Sequence, residues 1–147
     1  MRVNLREIAE AASYDPKQAL LAAAGDLNDY EVCHNLVLVA TYIAADRLMK
    51  GFESIGGLLR PDRNMEEDRF QGKIGLVLKV GPLAFVDDGR NTFGGIKVKA
   101  GDWVMYRPSD GLELFIRDRR KNDEGLSTRL IEDVFIKMKV SDPSLIY

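Results

Sequence analysis

The chain has 147 residues, with 21 Lys plus Arg against 23 Asp plus Glu and a formal charge of −2. A length in the single-domain range and an ordinary apolar content exclude wholesale disorder, and the near-neutral balance argues against a general polyanion binder. Cys33 is the only cysteine, which excludes a disulfide-stapled scaffold; with no apolar run near ~20 residues and a charged N-terminus, the expected setting is cytoplasmic, with no membrane and no nucleic-acid partner.

In chain order, Leu5, Ile8, Ala9 and Ala12 follow helical spacing and predict a short amphipathic helix. A second helix is expected from Asp15-Pro16, where Asp caps, Pro fits the first position, Gln18 completes a capping-box-like pattern and Gly25 stops the run. Both are short and Ala-rich, so each must pack on the rest of the chain or on a neighbouring subunit. From Leu36 to Ile43 the sequence is β-rich without helical caps and reads as a strand. Residues 46–68 hold Gly and Pro-Asp signals with no clear element, which marks a functional or disordered loop.

Alternation resumes over Lys73–Val80, and a turn-rich segment follows from Gly81 to Gly95, where Asp87-Asp88-Gly89 is a hairpin signal. Ile96-Lys97-Val98-Lys99 alternates toward Gly101-Asp102, and Trp103–Tyr106 continues as a strand. Asp110-Gly111 turns into Leu112–Ile116, Arg117–Glu124 is a solvated turn, and Thr128–Val140 supplies the closing strands. The expectation is a mainly β chain, a small barrel or sandwich over residues 35–147 behind an N-terminal helical extension over residues 1–34.

Residues able to do chemistry do not converge. Cys33-His34 lacks metal-ligand spacing, and neighbours entering a strand point to opposite faces, so the pair reads as a boundary Cys and a surface His. Gly56-Gly57 and Gly94-Gly95 lack the Gly-Lys-Ser/Thr of a phosphate loop. Asp87 and Asp88 read as turn formers, Arg117–Lys121 as a solvated loop, and Phe93, Trp103, Tyr106 and Phe115 as barrel core or subunit contacts. Neither an enzyme nor a cofactor or metal site is expected. Loss of an activity on changing His34 or Asp102 would revive a catalytic reading.

The informative stretch is Phe52–Asp62, where apolar Ile55, Leu58 and Leu59 surround Gly56-Gly57 inside the long polar loop. It reads as a recognition loop with an apolar tip and a glycine hinge. This stretch, together with Gly72–Gly81 (GKIGLVLKVG) and Val98–Val104 (VKAGDWV), resembles the GroES-type co-chaperonins in order and spacing from about Asn35 to Val140. Residues 1–34 and Ser141–Tyr147 lie outside the usual family pattern, and the chain is similar to variants encoded by bacteriophages.

The resemblance implies a small irregular β-barrel assembled as a homo-oligomeric ring, a heptamer in the family. A mobile loop over residues 46–68 would bind a GroEL-type chaperonin ring through Ile55, Gly56, Gly57, Leu58 and Leu59, and a hairpin over residues 81–95 would roof the dome. The family's loop carries three apolar residues after the Gly pair; Leu58 and Leu59 match two, Arg60 stands at the third, and Ile55 supplies apolar surface instead. The implied function is to cap the chaperonin over an unfolded protein substrate, a phage capsid protein for instance, while ATP is consumed in the partner. The alternative is a phage virion structural or assembly protein that reuses the barrel.

Overall fold

The computed structural model describes residues 15–42, 73–89, 91–117 and 125–145. The helix expected at Leu5–Ala12, the loop tip and residues 118–124 lie outside them. Helix α1 runs over Pro16–Ala24; Asp15 caps it by accepting from the backbone N–H of Lys17 at 3.1 Å and of Gln18, and Gly25 ends it at φ 62°. No helix among the described residues is long and apolar enough to cross a membrane.

Among the described residues six strands follow: β1 Leu36–Thr41, β2 Ile74–Val80, β3 Trp103–Met105, β4 Leu112–Ile116, β5 Leu126–Glu132 and β6 Met138–Val140. They form one antiparallel sheet in the order β4-β5-β1-β2-β3-β6. The protein is therefore mainly β, as its alternation and turn spacing imply. The sheet is open: β4 and β6 are its outer strands and do not pair with each other, so a closed barrel is not formed by the described residues.

Both faces of the sheet are covered by the chain itself. On one face Leu38, Ala40, Ile74, Leu76, Leu78, Trp103 and Ile116 pack with Leu20 and Ala24 of α1, so the described part of the helical extension docks on its own sheet. Lys79 fastens the exit of this helix, its ammonium donating to the carbonyls of Leu27 (2.8 Å) and Tyr30. On the other face Val37, Val39, Val77, Val104, Tyr106 and Ile131 are roofed by Phe85 and Val98. A register slip between Leu38 and Val39 forms a bulge in the β1–β2 pair.

The turn-rich segment after β2 is a chain of turns, with no strand among its described residues. The Asp87 and Asp88 carboxylates accept from the backbone N–H of Phe93 and Asn91, both at 2.8 Å, which makes them turn formers. Over Ile96–Lys99 only Val98 is buried, and the stretch pairs with no strand among the described residues. The chain instead enters β3 through a turn in which the Asp102 carboxylate accepts from Lys99 N–H at 2.9 Å.

Gly81 is demanded by close approach. A Cβ there would meet the Cys33 and Leu36 carbonyl oxygens at 2.8 and 3.0 Å, while His34, at φ 54°, turns the chain into β1. Leu76 is fully buried and Leu83 is 57% exposed. Leu76→Ala is expected to lower the unfolding free energy by about 2–5 kcal/mol in urea denaturation, and Leu83→Ala by less than about 0.5 kcal/mol.

Candidate functional site

Ile55, Gly56, Gly57, Leu58 and Leu59 lie outside the described residues, so the structure brings none of them to a site. It does describe the base from which their segment springs. Thr41 at the end of β1 pairs with Gly75 near the start of β2, and Tyr42 N–H donates to the Ile74 carbonyl at 3.0 Å. The long connection thus leaves and returns on neighbouring strands at one end of the sheet.

This base is stiffened by packing. Tyr42 meets Trp103 edge to face at 5.5 Å, and Tyr106 N–H donates to the Lys73 carbonyl at 2.8 Å. The Tyr106 ring lies against Gly75, where an added Cβ would come within 2.9 Å of its hydroxyl. Arg129 reaches from β5 over the Tyr106 ring, 6.0 Å from its centroid, and donates to the Asp110 carbonyl at 2.9 Å. Arg107 clasps the Asp110 carboxylate with two hydrogen bonds of 3.1 and 3.2 Å and holds it below the usual carboxylate range.

The Tyr106 hydroxyl is buried, with Thr41 and Arg129 as its polar neighbours. Burial pushes its phenol up to about 12, against the opposing pull of the Arg129 charge. The unfolded chain therefore releases this proton near pH 10 while the folded chain keeps it, so stability falls as pH rises through that interval.

A second feature is a cleft of about 270 Å³ between the turn-rich segment and the sheet's far edge. Phe85, Phe93, Ile96, Val98, Ile136 and Met138 line it, with Phe85 and Phe93 edge to face at 5.4 Å. Phe85 adopts φ 60° and is held there by Asp133, whose buried carboxylate accepts from Phe85 N–H and from Asn35 Nδ2, each at 3.0 Å. The cleft is mostly apolar and its one buried carboxylate is committed to the fold, so it suits an apolar side chain.

The residues weighed for chemistry stay apart. Cys33 is exposed with its thiol directed at the Glu31 carbonyl (3.8 Å), and His34 is exposed. Asp102 pairs with Lys139 at 3.4 Å. Among the described residues no group of three His, Cys, Asp or Glu could hold a metal ion. Trp103 and Tyr106 are core residues, Phe93 is half-buried and Phe115 is exposed.

Sequence reasoning passed over Arg129 and Asp133, which sit on the same alternating face as buried Ile131; that period-two relation is the signal that marks them. No family model matches the chain, and neither does any curated protein.

Tyr106→Phe should be close to neutral below about pH 9 and should remove about 2 kcal/mol of the alkaline loss by about pH 11.5, measured by urea denaturation across pH. Asp133→Ala leaves the buried Phe85 N–H unpaired and is expected to destabilise by about 1–3 kcal/mol in the same assay.

Proposed function

We propose that this chain is a co-chaperonin whose copies form a ring, which caps a GroEL-type chaperonin through the apolar tips of the β1–β2 connections. The observation that carries the reading is the setting of that connection. Adjacent antiparallel strands need only a few linking residues, yet here residues 43–72 intervene between positions that the Thr41–Gly75 pairing holds side by side. Two of the three stretches behind the family resemblance also meet in the fold. Val77 N–H donates to the Asp102 carbonyl and Gly101 N–H to the Val77 carbonyl, both at 2.8 Å, so GKIGLVLKVG and VKAGDWV lie together. The barrel expected of the family belongs to this proposal, since the described strands form an open sheet.

Magnitudes favour many loops over one. Burying Ile55, Leu58 and Leu59 contributes roughly 1.5–3 kcal/mol each, while fixing the backbone opposes this by roughly 1–2 kcal/mol per residue. One loop then has little net affinity, and several on a common ring gain firm attachment from effective concentration. Weak individual contacts also let the cap leave when the partner changes state. The partner supplies ATP hydrolysis, with Gly56 and Gly57 as hinge and the sheet as a rigid carrier.

The full chain should co-elute with a bacterial chaperonin on a sizing column in an ATP-dependent manner. Leu58→Asp with Leu59→Asp should abolish co-elution without changing the circular dichroism spectrum, and Ile55→Ala should weaken it as much as Leu59→Ala. Persistent co-elution of the double variant, or none by the unmodified chain, refutes the proposal.

A further inference from the structure

The cleft beside β6 has an uncovered apolar wall. Ile96 is 61% exposed, Met138 42% and Val134 38%, and all three line it together with Phe85 and Phe93. Single exposed apolar side chains are ordinary, whereas several gathered round one concavity mark a place for an apolar partner. Two of the charged groups in its wall are committed to the fold. Asp133 holds Phe85 N–H and Asn35, while the Lys139 ammonium donates to the Lys97 carbonyl at 3.1 Å and pairs with Asp102.

The start of α1 lies at the side of this cleft, although the helix body covers the other face. Lys17, in the first turn of α1, extends to Gly101, where an added Cβ would be 3.4 Å from its ammonium nitrogen. Gly101 adjoins Asp102, and Asp102 meets Lys139 of the cleft wall at 3.4 Å. Residues 1–14 lead into α1 at this point. Their sequence predicts an amphipathic helix with Leu5, Ile8, Ala9 and Ala12 on one face, and that apolar stripe requires a surface to pack on. Lengths agree: the three Cα steps from Ala12 to Asp15 span roughly 11 Å, and eight helical residues from Leu5 to Ala12 cover about 12 Å.

We propose that residues 1–14 fold back over the cleft of their own chain as a short helix, with Leu5 and Ile8 entering between Phe93, Ile96 and Met138. Ala12 then lies at the Asp102 rim, and Ser13-Tyr14 joins the helix to the Asp15 cap. A contact this small would hold a free peptide poorly, but attachment to α1 supplies a high effective concentration. The segment is a built-in occupant that keeps the apolar wall from other chains until it is displaced. This docking goes beyond the co-chaperonin reading and does not rest on it.

The test uses the full chain without chaperonin, in a Cys33→Ser background with a short bismaleimide. Ile8→Cys with Ile96→Cys should crosslink within one chain and give a faster-migrating monomer on denaturing electrophoresis. Ile8→Cys with Leu112→Cys, on the opposite outer strand, should not. As a second readout, Leu5→Asp with Ile8→Asp should raise the rate of Met138 oxidation by hydrogen peroxide about threefold or more, leaving Met105, packed on the α1-covered face, unchanged. Circular dichroism checks that each variant folds. Equal crosslinking at Ile96 and Leu112, no crosslink at Ile96, or an unchanged Met138 rate would overturn the proposal. Crosslinked dimers would assign the segment to a second copy and would equally overturn docking within one chain. A monomer crosslink without chaperonin co-elution would leave the docking standing and remove the capping function.

Discussion

Val37, Val39 and Val77 lie on one face of the central strand pair and Leu38, Ala40 and Leu76 on the other, all nearly sealed from solvent. Burial on both faces is unusual for an antiparallel pair, which commonly leaves one face to water. It obliges the chain to provide two covers, and the rest of the architecture answers that requirement. Helix α1 and the segment through Tyr30 close one side; Phe85 and Val98 close the other. Tyr30 anchors its segment to the end of β4 by donating to the Arg117 carbonyl at 2.6 Å and accepting from Arg117 N–H at 3.0 Å.

Polar groups caught under these covers have been given specific tasks. Asp133 joins three parts of the chain, through Asn35 before β1, Phe85 in the turn-rich segment and its own 3-10 turn after β5. Arg129 ties β5 to Tyr106 and to the Asp110 turn. Buried groups of this kind destabilise strongly when one partner is removed, so they fix how the covers sit even where their net contribution to stability is small. The Arg129 tie supports the Thr41–Gly75 end, where the proposed recognition segment departs, and the Asp133 tie secures the opposite end of β1, at Asn35.

Much of this was legible in the residues. Asp15-Pro16 and Gly25 delimit α1 because capping and positive-φ chemistry are local, and Leu36–Thr41, Ile74–Val80 and Leu112–Ile116 appear where β-rich runs predict strands. Ile96–Lys99 has the alternation of a strand but none of its pairing, since the neighbouring Asp102 turn claims the backbone that a ladder would use. Arg129 and Asp133 do not stand out within the charged closing stretch; only their spacing from Ile131 discloses the core face. Closure into a barrel is a long-range property that strand spacing does not determine. The binding residues Ile55–Leu59 rest on motif resemblance, outside what the structure describes.

Cys33 has a practical consequence. It is the chain's sole thiol and it is exposed, so one fluorophore or spin label can be attached at a unique position without mutagenesis. It precedes β1, while the proposed recognition segment follows it, and the strand alone separates the two by roughly 17 Å. A reporter there would sense tumbling and neighbouring copies while leaving the opposite end of the sheet chemically untouched.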